Sequence, residues 1–119
     1  MWPYNMNANH KRAELMQGSL EMLILNTLKF GEQHGFRILR IIHAASGGVL
    51  ELKTGSLYPA LQRLERQGWV SAVWKKCESN QQAKFYRITQ SGEERLAAAY
   101  DDWRRMVGTV EQIMNSSFN

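Results

Sequence analysis

Mainly α with a small β-hairpin is the fold class this 119-residue chain predicts, and three observations predict it. Apolar residues recur at three-to-four spacing in segments between Leu15 and Leu64. Between Val70 and Ile88 that period gives way to alternation, Val70, Ala72, Trp74 and then Lys84, Tyr86, Ile88, around a polar stretch at 77–82. The helical period resumes at Thr89 and runs almost to the end. Short helices, one hairpin and a long last helix are the layout of a winged helix-turn-helix with a C-terminal dimerisation helix.

The elements follow in order. Residues 1–8 are polar and Asn-rich, the composition of a flexible N-terminal arm. Leu15, Leu20, Leu23, Ile24 and Leu28 mark the first helix; Ser19 is the expected cap of its main part, about 19–30, with Glu21 in the first turn. Residues 31–35 read as a connector. A second helix is expected from Phe36 to Ala45, burying Phe36, Leu39 and Ile42 or their neighbours, and Ser46-Gly47-Gly48 ends it. Residues 49–52 suit a short extended segment.

The third helix is expected from about Gly55 to Gln67. Leu57, Leu61 and Leu64 form its buried stripe. The opposite face carries Pro59, Gln62, Arg63 and Arg66, with Ser56 and Tyr58 on the flanks. Pro59 fits the first turn, where no intrahelical N–H bond is lost, and Gly68 suits the left-handed residue after the helix. The tip of the following hairpin, 77–82, is the candidate wing. Thr89 is placed to cap the last helix, with Glu93 and Glu94 near its first turn. Leu96, Tyr100, Trp103, Val107, Val110 and Met114 repeat in steps of four and three, widened by Ala99, Met106 and Ile113. An a/d-like stripe of that length asks for a partner helix. The expected division is an arm (1–8), a reading domain (9–88) and a dimerisation helix (89–119).

Charge is unevenly spread. The net charge is +4, but residues 53–88 hold seven basic and two acidic side chains, a net of +5. Residues 1–52 come to +1 and residues 89–119 to −2. A basic helix followed by a basic hairpin suits a polyanion, with the helix in the DNA major groove and the hairpin along the flanking backbone. The rival from another class is a winged helix used only for protein–protein contact, its basic face on an acidic partner. No run reaches the roughly eighteen apolar residues of a membrane span, and the N-terminus lacks signal-peptide order. One cysteine, Cys77, and three scattered histidines argue for a cytoplasmic chain with no metal and no cofactor. No Gly-rich phosphate loop in strand–helix context, nucleophilic triad or paired carboxylate cleft supports catalysis.

The chain resembles the PadR family of bacterial transcriptional regulators. The likeness is carried by Gln17-Gly18-Ser19-Leu20, Leu23-Ile24-Leu25 and His34-Gly35-Phe36. More specific are Gly55 to Glu65 with Gly68, and Ala83 to Thr89 with Gly92. Together they span roughly residues 15–107, and the single terminal helix is similar to the short subgroup. The resemblance implies a homodimer that represses transcription from an inverted-repeat DNA operator, often released by an effector. It places Ser56, Tyr58, Pro59 and Arg63 in the recognition helix and Lys84 at the wing. Relatives often carry arginines where this chain has Gln81 and Gln82, so fewer phosphate contacts and a shallower salt dependence are expected here.

The candidate DNA-contact residues are therefore Lys53, Thr54, Ser56, Tyr58, Pro59, Gln62, Arg63, Arg66, Lys75, Lys76 and Lys84. The plainer alternatives are ordinary helix-surface charge for Arg63 and Arg66, half-buried core for Tyr58, and a solvated basic surface with no partner for the charge as a whole. Trp103 is either dimer packing or, doubled about a two-fold axis, the walls of a slot for a flat hydrophobic effector. His34 reads as a structural hydrogen-bonding residue. Cys77 beside Lys75 and Lys76 is either a redox-sensitive thiol or incidental.

Overall fold

The computed structural model describes residues 18–117; the expected arm, Leu15 and His10 lie outside them. Helix α1 covers residues 18–28, strand β1 Gln33–His34, helix α2 Gly35–Ala45 and helix α3 Thr54–Arg66. Strands β2 (Val70–Lys76) and β3 (Gln82–Ile88) form the hairpin, and helix α4 runs from Gln90 to Met114. The sheet is antiparallel in the order β1-β3-β2, with Val70 opposite Ile88 and Gln33 opposite Tyr86.

Local chemistry explains the boundaries. His34 caps α2, its Nδ1 accepting the Arg37 N–H at 3.2 Å, and Thr89 caps α4, its Oγ1 accepting the Gly92 N–H at 3.0 Å. At the end of α3 the Trp69 N–H donates to the Leu64 carbonyl and the Gly68 N–H to the Glu65 carbonyl, both at 3.0 Å. That pair is a Schellman stop, and it needs the left-handed φ of +76° that Gly68 adopts. The stop turns the chain directly into β2.

The core gathers one stripe from each element. Ile24, Leu25 and Leu28 of α1 meet Ile38 and Ile42 of α2, the Leu57, Ala60, Leu61, Leu64 face of α3, then Val70, Tyr86 and Leu96. Each large apolar side chain buried there contributes about 1.5–3 kcal/mol. The leucine stripe of α3 is as the periodicity predicts.

Several sequence expectations are corrected. Residue 18 is already helical, so Ser19 lies inside α1 and does not cap it, and α1 ends at residue 28 with a turn at 29–30. The connector at 31–35 contains β1. Phe36 is 56 % exposed, and Ile38 takes its place in the core. The reason is Gly35: a Cβ there would lie 2.8 Å from the Tyr58 ring, so α2 begins against that ring. This sets Ile38 and Ile42 inward. Residues 49–52 form a loop, not a strand, pinned where the Ser46 hydroxyl accepts the Leu50 N–H at 2.9 Å. Gln82 belongs to β3, so the hairpin turn is 77–81.

Glu32, just before β1, ties the outer face of the sheet together. Its largely covered carboxylate accepts from Lys75 of β2 and, at 3.3 Å, from Arg87 of β3. The hydrogen bond from Lys75, helped by both positive charges, holds its pKa below the ordinary carboxylate range despite some burial. A lowered folded-state value means the stabilisation is present above the unfolded value and is lost as pH falls through the folded one. Glu32→Gln is therefore expected to lower stability near neutrality and to flatten its decline from the ordinary carboxylate range downward. Urea titrations across that acid range measure it.

Candidate nucleic-acid interface

Helix α3 presents Gly55, Pro59, Gln62 and Arg66 along its outer ridge, all exposed. Exposed Ser56 lies on one flank and half-exposed Tyr58 on the other, where its ring meets the start of α2. Lys53 is the N-cap residue and makes no side-chain capping bond, and the first turn holds no acidic residue. The positive end of α3, with Thr54 and Gly55 in its first turn, is thus open to an anion. A Cβ at Gly55 would meet nothing within 4 Å. No internal packing explains a residue that costs a helix about 1 kcal/mol relative to Ala.

The cations divide into two groups. Arg63, predicted on the outward face, is half-buried, and its Nε donates to Glu21 of α1 at 3.0 Å. Lys84 donates to Glu65 of α3 at 3.0 Å, which pushes its pKa up and holds β3 beside α3. Lys75 pairs with Glu32 and lies 4.7 Å from the centre of the Phe85 ring; Arg87 shares Glu32. Four of the seven basic residues of 53–88 are therefore already matched by a carboxylate. Lys53, Arg66 and Lys76 are exposed, with no carboxylate partner among the described residues. The formal +5 overstates the unmatched positive charge of this surface.

Sequence reasoning missed these counter-charges because Glu21 and Glu65 reach partners 42 and 19 positions away. It also passed over exposed Arg37, in the first turn of α2 beside the Gly35–Tyr58 contact, and exposed Trp74 on the hairpin. On α4, Leu96 is buried in the chain's own core, so the exposed seam begins after it. Tyr100, Trp103, Val107, Val110 and Met114 stand exposed, with Met106 and Ile113 alongside. Cys77 is half-buried in the hairpin turn. Among the described residues no three His, Cys, Asp or Glu side chains cluster as a metal site would require, and no helix is long and apolar enough to cross a membrane.

An exposed reading helix beside a three-stranded sheet with an extended hairpin is the winged-helix arrangement. The pattern of the transcriptional regulator PadR-like family matches residues 24–98, well over half of the sequence. The chain belongs to the PadR-like family. It is a DNA-binding transcriptional regulator with a winged-helix fold. A PadR family transcriptional regulator from Eggerthella lenta is similar at 26 % identity, covering 92 % of this chain and 94 % of its own, with a TM-score of 0.76. A Streptococcus transcriptional regulator is 26 % identical, with 85 % and 97 % coverage and a TM-score of 0.74. A transcriptional regulator from Clostridium thermocellum shares the fold at a TM-score of 0.77 and 23 % identity, over 83 % and 96 % of the two chains. A protein of Lysinibacillus sphaericus described only as "Uncharacterized protein X" is 24 % identical over 103 residues, 87 % of this chain and 94 % of its own.

Proposed function

We propose that this PadR-family chain acts in the cytoplasm as a homodimeric repressor of an inverted-repeat operator. Residues 89–119 pair two copies, and residues 9–88 of each copy read one half-site. The observation that carries this reading is the bare apolar seam of α4 on a DNA-binding chain: Trp103 is 45 % exposed and Ile113 52 %. At 25 residues the helix is about 37 Å long, ample for a paired interface. An open groove of about 750 Å3 between α1 and α4, lined by Met22, Leu23, Ala97 and Tyr100 among others, continues the seam.

In each half of the dimer α3 enters the major groove, with the two copies roughly 34 Å apart. The open N-terminus of α3, with Lys53, receives a phosphate, and Gly55 lets that phosphate come close. Ser56, Pro59, Gln62 and Arg66 face the base edges, and Tyr58 and Thr54 border the groove. Arg63 is the lesser contact, because its guanidinium must first leave Glu21. Lys76 meets the flanking backbone, with Lys75 and Lys84 as weaker, already matched neighbours. The Tyr100 and Trp103 rings are stacked at 6.3 Å and 16°. Doubled about a two-fold axis, they offer a slot for a flat hydrophobic effector that shifts α4 and releases DNA.

Footprinting of the region upstream of its own gene, with a labelled fragment followed by polarisation over a salt series, tests this reading. Two protected patches one helical turn apart are expected. Counting only the unmatched cations of each protomer, log affinity falls with log salt with a slope of about −5 to −6 for the dimer. Arg66→Ala reduces that slope and weakens binding strongly, whereas Arg63→Ala changes the slope less. Titrating the complex with planar aromatic cations is expected to release the fragment. Sequence-independent binding, or none at all, sinks the repressor and favours an acidic protein partner.

A further inference from the structure

We infer that Trp74 is an affinity-setting, non-ionic DNA contact of the wing, packing its indole on the deoxyribose rim flanking each half-site. The inference rests on the reading that α3 and the hairpin face DNA. Trp74 is 63 % exposed, although it alternates with Val70 and Ala72 on the sheet face that turns toward the core. The strand simply outruns the core, leaving the ring beyond it. Its cross-strand partner is Lys84, and Lys84 is held at 3.0 Å by Glu65 of α3. The indole therefore neighbours a lysine tethered to the C-terminal half of α3, the half that also carries Arg66. Lys76, opposite Gln82, closes the same face toward the hairpin turn.

Electrostatics make this ring matter more. A wing reads backbone through cations, yet Lys75 and Lys84 are matched by Glu32 and Glu65, and residues 81 and 82 are glutamines. Lys76 is left as the unmatched wing cation among the described residues. A hairpin so short of free charge needs a non-ionic means of holding the duplex. An exposed indole supplies apolar area for the sugar edge and one N–H donor for a phosphate oxygen. The neighbouring ammonium groups suit a polyanion and would repel a cationic partner. A loss of stacking-type contact, unlike a loss of phosphate charge, leaves the counterion slope intact.

The experiment compares Trp74→Ala, Trp74→Phe, Lys76→Ala and Arg66→Ala on the upstream fragment and on an unrelated duplex, over a salt series. Trp74→Ala is expected to weaken binding to the upstream fragment about tenfold with an unchanged salt slope, and Trp74→Phe to retain most of the affinity. Lys76→Ala is expected to lower the slope by about one per protomer. Acrylamide quenching, taken as wild type minus Trp74→Phe, is expected to fall when the fragment is added; this also decides the matter should Trp74→Ala not fold. Wild-type affinity in a folded Trp74→Ala, or quenching indifferent to DNA, overturns the inference, as does an altered sedimentation mass that assigns the ring to a second copy. Arg66→Ala separates the two levels. Loss of binding there with none at Trp74 leaves the reading standing and ends only this inference; no loss at either ends both.

Discussion

Gly92→Ala is expected to destabilise the protein by about 3–5 kcal/mol, although the substitution would favour an isolated helix. A Cβ at Gly92 would sit 2.0 Å from the Trp69 carbonyl oxygen and 2.8 Å from Ile88 Cγ1. One of those neighbours is backbone, held by the Schellman stop of α3, so it cannot move aside cheaply. The helix must lift instead, and lifting strains the bonds that seat it. These are Thr89 N–H to the Trp69 carbonyl at 3.0 Å, Thr89 Oγ1 to the Gly68 carbonyl at 2.7 Å and Ser91 Oγ to the same carbonyl at 3.0 Å. The Arg95 guanidinium, 4.9 Å from the centre of the Trp69 ring, would be displaced with them. Overpacking costs about 1–3 kcal/mol, and losing two of those three hydrogen bonds about 2 kcal/mol more, which together give the figure above. Thermal unfolding should show a midpoint lowered by about 10–20 °C. An unchanged midpoint would show that α4 is seated some other way. In the proposed dimer, the same junction sets the angle between the reading helices.

Val107→Glu is the second large effect. Val107 lies midway along the exposed seam, between Trp103 and Val110. In the proposed two-fold assembly one substitution places two carboxylates in the same apolar interface. Burying unpaired charge costs several kcal/mol per site, so the dimer should dissociate by about a thousandfold or more at a given concentration. Analytical ultracentrifugation is expected to give a monomer mass with unchanged helical content, since Val107 contributes nothing to the core of its own chain. Operator affinity should fall with it, because each copy then holds a single half-site. A dimer mass for Val107→Glu would remove α4 as the pairing element.

Much of the fold was legible before any coordinates. The stripe Leu57, Leu61, Leu64, the Gly68 stop, the alternation on both sides of the hairpin and the Thr89 cap are short-range signals. The misreadings cluster where a distant contact overrode a local preference. Phe36 looked like core by period, yet the Tyr58 ring against Gly35 set α2 with Ile38 inward. Residues 33–34 looked like connector, and only the β3 edge made them a strand.

The candidate interface divides in the same way. Which helix is exposed and basic was readable from its own residues. Which of its cations carry unmatched charge was not, because Glu21, Glu32 and Glu65 reach Arg63, Lys75, Arg87 and Lys84 across the fold. Periodicity, turn residues and caps act within a few positions, so the linear chain alone determined the helices, the hairpin, their order and the family, but not β1. Charge pairing, the docking of α4 at Gly92 and the exposure of Trp74 depend on surfaces distant in sequence coming within a few ångströms. Coulomb and contact forces fall off with separation in space, and only the folded chain sets those separations.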